Sequence, residues 1–142
     1  GEVDGRYTAM TRLVGIEGDG AALGVPLVHL QDVRVVAGSL GDDPVVVFWQ
    51  PGAASALDAG AVADGDDIGA TGAFSPTVDG DVLVFEFDGT DIIDTGTGSA
   101  WGIFGQATSG PLAGTRLDAV PHVDTFWFAW STFRPDTDII DG

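Results

Sequence analysis

Lysine is absent from this chain, and so is cysteine. Without lysine there is no Schiff-base amine and no phosphate-gripping P-loop, whose GxxxxGK[ST] pattern requires one. Without cysteine, disulfides, zinc–thiolate sites and thiol nucleophiles are excluded, and cysteine usage is silent on redox compartment. Basic residues of any kind are scarce: five arginines stand against 22 acids, for a formal net charge of −17. A chain so poor in cations cannot neutralise a phosphate backbone, which argues against DNA or RNA as a partner. Long apolar runs are missing as well. Val45–Trp49 is among the longest, far short of the ~20 residues a membrane helix needs, so no membrane span is expected. No charged-then-apolar leader precedes Gly1, and any export signal is expected to have been removed ahead of this stretch.

The acids themselves are informative. Only Glu2, Glu17 and Glu86 are glutamate and the other nineteen are aspartate, which is not the Glu-rich bias of a solvated helical tail. Short, strongly hydrated carboxylates in place of lysine suit a protein in near-molar salt. There the Debye length falls to about 3 Å and self-repulsion is largely screened. The composition therefore implies a salt-adapted source, and an archaeal one is expected. A hydrophobic fraction of 44% over 142 residues excludes disorder and suits one domain of ordinary size.

Short β-branched or aromatic runs bounded by Gly, Asp and Pro predict strands at Leu13–Ile16, Val25–Leu30, Val33–Val36, Val45–Trp49 and Val82–Phe87. Asp79-Gly80 between apolar runs predicts a hairpin. The Ala-, Gly- and Asp-rich stretch 52–72 has little to bury and reads as a loop. One helix is expected near the C-terminus. Asp124 or Thr125 can cap it, Phe126, Trp127, Trp130 and Phe133 form its aromatic face, and Pro135 stops it. Trp49 and Trp101 are candidates to pack against that face. The expected fold is mainly β, a compact single domain over residues 1–142, of short antiparallel strands with one aromatic-faced C-terminal α-helix.

Familiar catalytic motifs are missing. There is no Gly-x-Ser-x-Gly elbow, and Ser55, Ser75, Ser99, Ser109 and Ser131 select no triad. His29 and His122, the two imidazoles, are not in an HExxH or any ligand-spaced pair. His29 falls in an apolar strand and reads as structural; His122 follows Pro121 just before the helix and reads as a capping or packing residue. Asp64-Gly-Asp-Asp67 begins like an oxygen-ligand loop. An EF-hand, however, needs an acid at position 5 and Glu at position 12, where this chain has Ile68 and Ser75. Asp64, Asp66 and Asp67 remain candidates for a looser Ca²⁺ or other cation site, and no other cofactor is indicated.

Asp94-Thr-Gly-Thr-Gly-Ser-Ala-Trp101 is followed by Gly105-Gln-Ala-Thr-Ser-Gly-Pro-Leu-Ala-Gly-Thr-Arg-Leu117, then by Trp127-Phe-Ala-Trp130 and Arg134-Pro-Asp-Thr137. This order resembles a widespread prokaryotic family of exported proteins known as a domain of unknown function. Its members show D-x-x-T-G-S-x-W, G-x-A-x-x-G-P-L-x-G-x-x-L, W-x-x-W and H-P-D-T. The likeness is specific over residues 74–140 and looser over 12–58. Family members also carry a Tyr-Cys-Pro-x-Cys-Gly segment that looks like a metal or thiol site. Here the matching stretch is Trp49-Gln-Pro-Gly-Ala, with Gln50 and Ala53 at the cysteine positions. The family's upstream Trp-His-Glu falls on Asp32, Val33 and Arg34. What survives looks like scaffold.

The resemblance implies export, and the missing reactive groups argue against an enzyme. The expected role is a non-enzymatic extracellular or cell-surface protein, structural or assembling, whose partners would be its own copies or other cell-surface proteins. The alternative is a small-molecule or metal-ion binding domain with a re-lined family pocket. Its candidate ligand-binding residues are Trp49, Gln50, Ser55, Trp101, His122 and Asp124.

Overall fold

The computed structural model describes residues 11–18, 21–51, 69–133 and 137–140. The elements run β1 (Arg12–Gly18), β2 (Ala21–Pro26), α1 (Leu27–Val33), β3 (Val35–Leu40), β4 (Asp43–Gln50), β5 (Ala70–Phe74), β6 (Thr77–Val78), β7 (Asp81–Val82), β8 (Phe85–Phe87), β9 (Ile92–Asp94), β10 (Ala100–Trp101), β11 (Ala107–Ser109), β12 (Val123–Phe126), α2 (Trp127–Phe133) and β13 (Asp138–Ile139). They form sheets in the orders β12-β1-β2-β13, β3-β4-β5 and β11-β10-β9-β8, with β6-β7 as a separate hairpin. The fold is mainly β, as the sequence predicts.

The uninterrupted apolar run Val45–Trp49 has a simple cause: β4 is buried on both faces. Val45, Val47 and Trp49 join Val14, Ile16, Leu23 and Val25 of the first sheet and Leu30 of α1. Val46 and Phe48 face the other way, onto Phe74, Phe85, Ile92, Trp101 and Leu117. Phe48 meets Phe74 at 5.4 Å and Phe85 at 5.2 Å between ring centroids, and burying such a ring contributes about 1.5–3 kcal/mol. β1 is two-sided in the same way. Val14 and Ile16 enter the central core, whereas Leu13 turns to the opposite face, onto Trp127 and Trp130 of α2.

The Asp79-Gly80 hairpin forms as expected. Both residues have positive φ, 51° and 85°, as a two-residue type I′ turn demands. The run Val82–Phe87 does not continue as one strand, however. Val82 pairs with Thr77, and Phe85–Phe87 pairs instead with Ile92–Asp94.

Four other expectations need correction. Val25–Leu30 is strand only to Pro26; Leu27 to Val33 is helix, so His29 sits half-buried on α1. Pro26 pairs with Leu13 as the last residue of β2; without an N–H to donate it suits the residue preceding a helix, and Leu30 is fully buried there. Asp124 and Thr125 do not cap a helix, because β12 holds Val123–Phe126 in register with β1 and α2 starts at Trp127. Nor does α2 close the chain: β13 follows it and lies parallel to β2, an exception to the antiparallel pattern. Trp49 and Trp101 belong to the two cores around β4 and not to the cluster under α2.

Candidate functional site

Arg34 ends α1 in the left-handed region, φ 72°, a conformation that costs a branched or long residue about 1 kcal/mol or more. Two backbone bonds hold it there. Its N–H donates to the Leu30 carbonyl at 2.7 Å, and its own carbonyl accepts from the Trp49 N–H at 2.8 Å. The side chain is thereby laid between two aromatic rings, with the guanidinium carbon 5.0 Å from the Trp49 centroid and 4.8 Å from that of Phe87. Each such contact contributes about 0.5–2 kcal/mol and leaves the in-plane N–H donors at the guanidinium edge free to bond.

Around this arginine opens a cleft of about 370 Å³, lined by Arg34, Trp49, Gln50, Phe87, Thr90, Asp91, Trp101 and the apolar Ile92 and Ile103. It lies where β4 ends. Asp88 shapes the opposite lip. Its Oδ1 accepts from the Thr90 N–H at 2.8 Å and the Asp91 N–H at 2.7 Å, fixing the turn that presents those two residues. The same bonds, from Asp91 first and Thr90 next, hold the Asp88 carboxyl below its ordinary pKa. No carboxylate among the described residues pairs with Arg34, and no described cation pairs with Asp91.

The wall behind the cleft is built by the Asp94–Trp101 segment. Asp94 is fully buried. Its Oδ2 accepts from the Trp101 indole N–H at 2.9 Å and the Thr97 hydroxyl at 2.9 Å, and its Oδ1 accepts from the Thr97 N–H at 2.6 Å. Since the Thr97 proton goes to the carboxylate, Ser99 donates to Thr97 across their 2.7 Å contact. The Leu112 N–H then donates to Ser99 at 2.9 Å. Burial pushes the Asp94 pKa up, but the bonds from Trp101, Thr97 and Gly98 outweigh it and hold the carboxyl below its ordinary value. The polar side chains of Asp94, Thr97, Ser99 and Trp101 bond to one another, which makes this cage architecture.

The structure brings together three of the six expected site residues, Trp49, Gln50 and Trp101. His122 and Asp124 meet elsewhere, at Thr71. The Thr71 hydroxyl lies 3.5 Å from His122 Nε2 and 3.3 Å from Asp124 Oδ1, beside shallow grooves along β1 and β12. Ser55 and the cation candidates Asp64, Asp66 and Asp67 lie outside the described residues. Among those described, no three His, Asp or Glu side chains converge as a metal would require. Sequence reasoning missed Arg34, Phe87, Thr90 and Asp91. The one available signal was the resemblance, which sets Arg34 in the family's Trp-His-Glu stretch and Gln50 in its cysteine segment; the fold places both residues at one cleft.

A family model described as Protein of unknown function (DUF3179) matches residues 1–137. No curated protein and no solved structure matches the chain.

Proposed function

We propose, from the premise that the chain belongs to the DUF3179 family of proteins of unknown function, that it is a small-molecule binding domain working outside the cell in a salt-adapted organism. The observation that carries this reading is the cleft at the end of β4, where Arg34, Gln50, Thr90 and Asp91 converge on an aromatic and apolar wall. Its volume of about 370 Å³ falls in the range of small-ligand sites, and its surface is divided almost evenly between polar and apolar groups. Export is supported by the resemblance, and salt adaptation by the charge of −17 without lysine.

The groups at the cleft suit holding more than reacting. A guanidinium stays protonated at any physiological pH and an amide does not titrate. They also do not fit the metal or thiol site that the family's cysteine segment resembles: Gln50 is a poor metal ligand, and the Arg34 guanidinium beside it repels a cation.

The assembling-subunit reading comes second. It is supported by exposed Val82, Val84 and Phe104, the last 80% accessible, and by β12, an outermost strand of its sheet among the described residues. No helix among the described residues is long and apolar enough to cross a membrane.

One experiment separates the two. A small-molecule thermal-shift screen in about 2–3 M KCl, where charge is screened, is run on the parent and on Gln50→Ala, alongside sedimentation velocity. Binding predicts a monomer stabilised by some compounds, less so in the variant. Large salt-dependent species unaffected by Gln50→Ala, with no stabilising compound, would overturn it.

A further inference from the structure

Among the described residues, the cleft is lined by one cation and one anion that do not pair with each other. Arg34 and Asp91 both line it, yet neither forms an ion pair among the described residues. Opposite charges left apart on one small site are what a ligand carrying both charges would use. From this, and resting on the binding reading above, we infer that the cleft takes a small amino carboxylate with an apolar side chain, a zwitterion.

Arg34 receives the carboxylate. Its guanidinium carbon lies over the Trp49 and Phe87 rings, and a guanidinium fork without a carboxylate partner among the described residues matches a carboxylate in bidentate fashion. The left-handed backbone and the two backbone bonds at Arg34 fix the fork before any ligand arrives, so little entropy is lost on binding. Asp91 receives the ammonium. Its position is set from below by Asp88, whose Oδ1 holds the Thr90 and Asp91 N–H groups, and its own carboxylate stays exposed. Gln50 and Thr90 supply further hydrogen-bonding groups, and Trp101, Ile92 and Ile103 give the ligand side chain an apolar wall.

Electrostatics selects against the simpler ligands. A bare anion on Arg34 leaves Asp91 without a counter-charge in the cleft. A bare cation on Asp91 faces Arg34. At molar salt the remote charges of the chain are screened within about 3 Å, so these groups at the cleft decide the outcome and the net charge of −17 does not. The zwitterion satisfies both.

The test uses L-leucine, its des-amino analogue 4-methylpentanoate, its des-carboxy analogue 3-methylbutylamine and the uncharged 3-methylbutan-1-ol. Calorimetry in about 2 M KCl gives the affinities, and amide NMR shifts at Arg34, Gln50 and Asp91 locate the ligand. Leucine is expected to bind at least tenfold tighter than each analogue. Arg34→Gln should abolish leucine binding, and Arg34→Lys, which keeps the charge without the planar fork, should weaken it. Asp91→Asn alters an exposed side chain and leaves the fold intact. It should narrow the gap between leucine and 4-methylpentanoate to within about twofold. Equal binding of leucine and either charged analogue, or indifference to Arg34→Gln in a folded variant, overturns the inference. If the alcohol alone shifts the cleft amides, the domain is a binder and the zwitterion is wrong. If neither these probes nor any compound in the thermal-shift screen acts at the cleft, the binding reading falls and the inference with it.

Discussion

The Trp101 indole N–H donates to the buried Asp94 carboxylate at 2.9 Å, joining the two ends of the Asp94–Trp101 segment. The bond does two things. It satisfies an indole that packs edge-on against Phe85 with ring centroids 5.5 Å apart, and it neutralises part of the cost of burying a charge. Removing either partner strands the other.

Asp94→Ala should therefore destabilise the fold by about 2–4 kcal/mol, because it orphans the Trp101 and Thr97 donors and leaves a cavity. Trp101→Phe keeps most of the apolar ring and loses only one donor, so about 1–2 kcal/mol is expected. Chemical denaturation of both variants checks this; equal midpoints to the parent would show that the cage contributes nothing.

The acid limb of stability should depend on Asp94. Its pKa is lowered in the folded chain, so its contribution is fully present above the ordinary Asp pKa. It is lost as pH falls from there through the folded value. Asp88 shifts in the same direction but is exposed, so its share is small. Melting temperature against pH should fall less steeply below the ordinary Asp range in Asp94→Asn than in the parent, from a lower plateau. Parallel curves would assign the acid sensitivity to other carboxylates.

Trp130 needs the space that Gly15 leaves. A Cβ on Gly15 would lie 2.6 Å from the Trp130 ring, and the ring is held from its far end by a 2.7 Å bond from its indole N–H to the Thr137 hydroxyl. Gly15→Ala should cost about 1–3 kcal/mol by overpacking and should change tryptophan fluorescence as α2 is displaced from β1. Gly110 is similarly constrained, with φ 89° and Ser99 Cα 2.7 Å from any added Cβ. Gly110→Ala should strain the loop that carries the Leu112 N–H to Ser99.

Thermal stability should rise steeply between low and about 2–3 M KCl, as screening relieves repulsion among 22 acids opposed by five arginines. Melting curves across a salt series measure this. A flat response would sink salt adaptation as the reason for the composition.

Much of the architecture was legible in residues alone. The strand at Val45–Trp49, the Asp79-Gly80 hairpin and the α2 tryptophans follow from short-range physics: β-branched runs, positive-φ turn residues and 3.6-residue spacing. Where neighbours decided, the sequence was ambiguous. Val25–Leu30 is apolar enough for strand or helix, and only Pro26 and the burial of Leu30 under β4 resolve it as a strand ending where a helix begins. Phe126 looks helical by spacing, but pairing with Arg12 holds it in a strand, and the Arg12 guanidinium lies 4.8 Å over its ring.

The sequence by itself determined the mainly β class, the absence of thiol and lysine chemistry and the net charge of −17, because composition and local propensity need no partner across the fold. Only the tertiary structure decided the site. Arg34 and Gln50 are brought to one cleft because β3 runs antiparallel to β4 and the Arg34 carbonyl bonds the Trp49 N–H. Asp91 reaches the same cleft from β8–β9, in another sheet. Convergence of residues from separate sheets depends on registers set by long-range packing, and no local pattern in the chain encodes it.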